Sequence, residues 1–209
     1  MLILADAENL GRLELAVREL HAECIAVPPF EAHYLERGHA IHFRCYHPEA
    51  AEMRVDVMAR LRGVEAFPVL WERRTVLSDA GNAIYTLLAL PDLVQAKKTQ
   101  RSKDWPMLQR LMEAHYLSHR AVPTQEQQQF WLRELRTPAL LIEVAQAWPE
   151  GARGLEAARP LLAVALPEKI RELEEALATE EGAEREQDRL YWQPLKAELE
   201  QLRRTIRKR

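Results

Sequence analysis

The sequence predicts an α+β fold: a small mixed sheet backed by helices, followed by a helical C-terminal region. Three observations carry this. Two nearby segments, residues 40–46 and 53–58, alternate apolar and polar residues with period two. Beyond Pro91 the apolar residues recur at helical spacing, with almost no strand signal after residue 120. The chain has only 7 Gly and a 7% aromatic share, which argues against a turn-rich all-β fold. We therefore expect an α+β domain over residues 1–120 and a helical region over 121–209.

The first part reads element by element. Leu2-Ile3-Leu4 starts as a strand, and Asp6 is placed to cap a helix from Ala7 to Leu20, with Leu10, Leu13, Val17 and Leu20 on one stripe. Cys24 to Val27 is a short apolar run stopped by Pro28-Pro29. In the first alternating segment Ile41, Phe43 and Cys45 share one face, and His42, Arg44 and Tyr46 the other. In the second, Val55 and Val57 face away from Arg54 and Asp56. The short link 47–52 suits an antiparallel pair. One short helix is expected over Gly63 to Glu72, and Ser78-Asp79-Ala80-Gly81-Asn82 separates two strand-like runs as a hairpin turn.

The second part reads as helices. Pro91 suits a first helical turn, Asp104 a cap with Pro106 just inside, and Thr137-Pro138 divides two further helices. At the end, Leu166, Ile170, Leu173 and Leu177 form one heptad stripe, and Leu195, Leu199, Leu202 and Ile206 another. Gly182 between them predicts a turn, hence a helical hairpin with an acidic first arm and a basic end at Arg203, Arg204, Arg207, Lys208 and Arg209.

Composition excludes several function classes. Lys and Arg total 29 against 32 Asp and Glu, a net charge of −3, so any contact with nucleic acid must use a local patch. Two cysteines cannot build a disulfide framework, and the expected compartment is the reducing cytoplasm. The longest apolar run, Leu161 to Leu166, falls far short of the roughly 20 residues of a membrane span, so no membrane partner is expected.

Few residues offer chemistry. Asp56 sits mid-strand, where Asp is disfavoured, either as a metal ligand on an open face or as the ion-pair partner of Arg44 or Arg54. Lys97, Lys98, Arg101 and Lys103 form a basic cluster, and on a helix Lys97 and Arg101 would share a face suited to phosphates. The alternative is a solvated junction. His115 and His119 stand i, i+4, as a zinc pair would, but nothing nearby in sequence completes the site. His42 and Cys45 fall on opposite strand faces, so the cluster His39, His42, Cys45 and His47 makes no single metal site.

Two blocks carry a resemblance. Arg54-Val55-Asp56-Val57-Met58 resembles the third-carboxylate strand of nucleotidyltransferase-fold proteins. Leu90 to Asp104 fits the pattern D-x4-K-x3-R-x-K-D through Asp92, Lys97, Arg101, Lys103 and Asp104, which resembles bacterial nucleotidyltransferase-like proteins related to the AbiEii toxin group. The resemblance covers about residues 1–118. It implies that Asp56 is a catalytic carboxylate binding Mg2+ or Mn2+, and that Lys97, Arg101 and Lys103 contact the phosphates of a nucleoside triphosphate or of RNA, in one cleft with Asp56. It also raises a protein partner. The glycine turn and D-x-D strand that supply the other two carboxylates are not found, so the resemblance implies either a start further upstream or a degenerate, inactive relative. Non-catalytic binding through the helical region is the alternative.

Overall fold

The computed structural model describes residues 1–207, without the side chain of Ile206; Lys208 and Arg209 of the basic end lie outside the described residues. The fold is α+β, as expected, with two small antiparallel sheets and a helical C-terminal region. One compact unit comprises residues 1–92 with 190–209, and the other residues 93–189.

In the first unit, Asp6 caps α1 (Ala7–Glu19) by accepting from the Asn9 backbone N–H at 2.8 Å. A short strand β1 (Glu23–Cys24) follows. Helix α2 (Ala32–Arg37) ends at Gly38, whose φ of 98° is the left-handed closure that glycine adopts without strain. Strands β2 (Ile41–Arg44) and β3 (Arg54–Val57) pair antiparallel, with His42 opposite Asp56 and Phe43 opposite Val55. Sheet order is β1-β2-β3. The only parallel element among the described residues is an isolated bridge from Leu2 to Met58. The alternation works as the sequence predicts: Ile41, Phe43, Cys45 and Val57 are buried, while Arg44, Tyr46, Arg54 and Asp56 face solvent. Leu13, Leu35, Ile41, Phe43 and Val57 form the core, and Leu202 from the end of the chain packs against it.

The segment 63–72 is helical only over α3 (Phe67–Glu72), since Gly63 takes a φ of 75° and Pro68 sits in the first turn. Strands β4 (Thr75–Ser78) and β5 (Ile84–Leu87) form the expected hairpin. Asp79 holds its turn through the N–H groups of Gly81 and Ala83. All eight ribbon residues are exposed. Helix α4 (Leu90–Lys97) begins in this unit, where buried Asp92 accepts a two-pronged bond from Arg73 at 2.7 and 2.6 Å.

The second unit is helical: α5 (Asp104–His119), α6 (Gln125–Glu134), α7 (Pro138–Ala147), α8 (Pro149–Leu155) and α9 (Leu162–Ala165). Thr124 and Gln127 close a capping box on α6. The expected helical hairpin is not formed. Residues 170–207 make one 38-residue helix, α10 (Ile170–Arg207), running through both Gly182 and Pro194. An interior glycine disfavours a helix by only about 1 kcal/mol. Packing at Leu173 and Leu177 in this unit, and at Leu202 in the first, outweighs that.

A substitution separates the two readings of Gly182. No heavy atom lies within 4 Å of where its Cβ would stand. Gly182→Ala should therefore raise stability by about 0.5–1 kcal/mol in thermal or denaturant unfolding. A loss of stability would return this residue to a turn.

Candidate functional site

The strand pair β2–β3 brings Asp56 to its open face by simple alternation. Asp56 stands beside Arg54 and His42 rather than Arg44. Arg54 Nε donates to Asp56 Oδ1 at 2.8 Å, and His42 Nδ1 lies 2.7 Å from the same oxygen. Because Oδ1 only accepts, Nδ1 must carry the proton, so Arg54 Nη2, 3.1 Å from Nδ1, finds no acceptor there. Partial burial pulls the Asp56 pKa upward. The hydrogen bonds and charges of His42 and Arg54 outweigh it and hold the pKa below the usual aspartate value. Asp56 is thus an exposed, ionised carboxylate already engaged by a cation.

A divalent metal at Asp56 would have to displace these donors. One carboxylate oxygen serves two donors, and the adjacent guanidinium competes with any cation. Among the described residues no three His, Cys, Asp or Glu side chains group as a metal site. A cleft of about 580 Å3 in this unit is lined by Asp6, Glu36, Arg60 and Tyr191 among others, and Asp56 is not part of its wall.

The basic cluster belongs to the other unit, and its helical presentation is overturned. Helix α4 ends at Lys97, and residues 98–103 form a loop, so Lys97 and Arg101 do not share a helix face. The cause is a set of buried acceptors. Lys98 is pulled inward, its Nζ 2.9 Å from Glu134 and 3.3 Å from Glu184. The Gln100 N–H donates to Asp188 at 2.8 Å. Asp104, buried in the first turn of α5, accepts from Thr99 Oγ1 at 2.5 Å and from Arg101 Nε at 3.0 Å. Trp105 Nε1 donates to the Thr99 carbonyl at 2.8 Å. The loop is therefore braced, and it leaves Arg101, Ser102 and Lys103 exposed.

His115 and His119 are not a zinc pair. Trp131 Nε1 donates to His115 Nδ1 at 2.9 Å, which leaves the ring proton on Nε2 and no free lone pair for a metal. Burial, then the neighbouring His119, pushes the His115 pKa down, so the ring is neutral at physiological pH. Burial and the hydrogen bond to Glu143 push Tyr116, nearby on α5, up to about 12.

The sequence reading missed the buried ion network of the second unit. Arg159 donates to the carbonyls of Leu132 and Leu135, both at 2.8 Å, and to Glu180 at 2.9 and 3.0 Å. Arg136 lies 3.0 Å from the same Glu180 and 4.7 Å above the Trp105 ring. Burial raises the Glu180 pKa, but the Arg159 hydrogen bonds and the charges of Arg159, Arg136 and Lys98 win, so the net shift is downward. No periodic signal marks these residues, because each lies on a mostly polar helix face or in a helix junction. Compared with known proteins, the chain matches no family model, no curated protein and no solved structure.

Two ion clusters of opposite burial give a contrast. Asp56→Asn removes an exposed pair and should cost no more than about 1 kcal/mol. Arg159→Leu strips the Leu132 and Leu135 carbonyls of their buried donor and leaves Glu180 only its contact with Arg136, and should cost about 3–5 kcal/mol in denaturant unfolding. The Glu180 carboxyl also sets a pH dependence. Its folded pKa is depressed, so its contribution is present above the unfolded value of about 4.3 and is lost as pH falls through the lower folded value. The stability gap between the parent chain and Glu180→Gln, measured at stepped pH, should be full at neutrality and shrink in acid.

Proposed function

We propose that the chain is a nucleotidyltransferase-like protein acting as a phosphate-binding module, without nucleotidyl transfer by residues 1–209 alone. The observation that supports this is the braced 98–103 loop, which displays Arg101, Ser102 and Lys103 to solvent beside Lys97. Cations held on a rigid loop recognise phosphate with little ordering cost. Their partner in this reading is a nucleoside triphosphate or the backbone of RNA. The helical unit is also the surface for a protein partner, and the setting is the cytoplasm. No helix among the described residues is long and apolar enough to cross a membrane.

A second reading is nucleotidyl transfer, with Asp56 as one ligand of Mg2+ or Mn2+. It is favoured by the ionised carboxylate standing on an open sheet face. It requires further carboxylates beside Asp56, because two-metal transfer rests on several acidic ligands acting together.

Two measurements separate these readings. Single-stranded RNA should bind with a salt-dependent affinity, and replacing Lys97, Arg101 and Lys103 by Gln should reduce the log-log salt slope by about two. An unchanged slope would remove these residues from the interface. Labelled-triphosphate transfer onto bulk RNA with magnesium or manganese should give no product. Product that disappears in Asp56→Asn would establish the second reading.

A further inference from the structure

One groove in the helical unit has buried charged donors left without acceptors. It lies between the 98–103 loop, the start of α5 and the middle of α10. Its two lobes, about 600 and 370 Å3, share Ser102 and Arg185. The Arg136 side chain, 9% exposed, lines the larger lobe beside Trp105. Its Nη1 lies 3.0 Å from Glu180 Oε2 yet out of line for a hydrogen bond, and it has no other acceptor. Arg185 Nε repeats the pattern, buried, 3.4 Å from Glu181 Oε1 and without a hydrogen bond.

A buried charged N–H without an acceptor is costly. Here two such donors come from different parts of the fold, the α6–α7 junction and α10, and each lies beneath the surface on a side chain that lines one groove. Each arginine already has a carboxylate neighbour, so net charge is not the argument; the unused donor directions are. An oxyanion offers lone pairs in several directions at once and matches guanidinium geometry. Glu174 and Glu181 also line the larger lobe, and their charges disfavour a long polyanion such as RNA. A small ligand held at the arginines avoids them.

We propose that this groove binds a small phosphate-bearing anion between Arg136 and Arg185, with the Ser102 hydroxyl as a third donor. The site rests on the phosphate chemistry proposed for the basic loop, but it assigns the recognition to residues outside that loop. Gly182 borders the smaller lobe, where an added Cβ would meet no protein atom within 4 Å. A larger side chain there enters the groove without disturbing the helix.

Isothermal titration of the full chain with inorganic phosphate and with AMP tests the site. Saturable one-to-one binding is expected. Arg185→Gln should weaken it about tenfold, the effect of one lost charge-assisted hydrogen bond. Gly182→Gln should weaken it while leaving the helical circular dichroism intact. Arg12→Gln, in an exposed ion pair with Glu8 on the other unit, should leave it unchanged, and Lys97→Gln and Arg101→Gln are measured beside it. AMP binding more tightly than phosphate identifies a phosphate ester as the ligand, and equal binding identifies the free anion. Absence of saturable binding overturns the site. So does binding indifferent to both groove variants. Binding lost in the Lys97 and Arg101 variants but kept in the groove variants returns recognition to the loop and leaves the proposed function standing.

Discussion

The helical unit depends on one guanidinium. Arg159 satisfies the last carbonyls of α6, at Leu132 and Leu135, and clamps Glu180 on α10. Helix C-termini leave carbonyls without intrahelical partners, and burying them unsatisfied is costly. A single arginine resolves that problem for α6 and binds a carboxylate of α10 in the same act. Glu180 then organises Arg136, and Arg136 covers Trp105. Around this chain of contacts, Leu132, Leu135, Leu141, Leu162 and Leu173 are fully or almost fully buried. The apolar core supplies most of the driving force, while the ion network fixes which helix ends meet.

The same logic explains the basic loop. A helix continued from α4 would have pointed Lys98 at a fixed angle from Lys97. Instead Lys98 turns inward to Glu134 and Glu184, and the backbone leaves the helix to let it. Asp104 and Asp188 then accept the donors that the broken helix exposes. The positive charge left at the surface is thus fixed by buried acidic residues some distance away in sequence.

How much of this was legible depends on the range of the interactions. Features set by neighbouring residues could be read directly: the Asp6 cap, the alternation that buries Ile41, Phe43 and Val57, and the turn at Asp79. The orientation of Asp56 followed from the same period-two rule, as did its pairing with Arg54. Features set by distant partners could not be read. Gly182 carries a local turn signal, and packing at both ends of α10 overrides it. Lys98 resembles its neighbours in composition, and only Glu134, 36 residues away, separates its fate from theirs. Arg159 and Glu180 belong to no pattern that spacing reveals.

The β4–β5 ribbon carries a practical consequence. Val76, Leu77, Ile84, Tyr85 and Leu87 are each about half exposed or more, on a two-stranded sheet. A strand edge of this kind, β-rich and with little charge, is where intermolecular pairing begins. The chain carries a net charge of only −3 and a pI near 6.2, so long-range repulsion between copies is weak and vanishes on mild acidification. Colloidal shelf life in concentrated solution therefore depends on this ribbon, and Ile84→Glu, at the most exposed of the five, interrupts it with a charge of the sign the chain already carries.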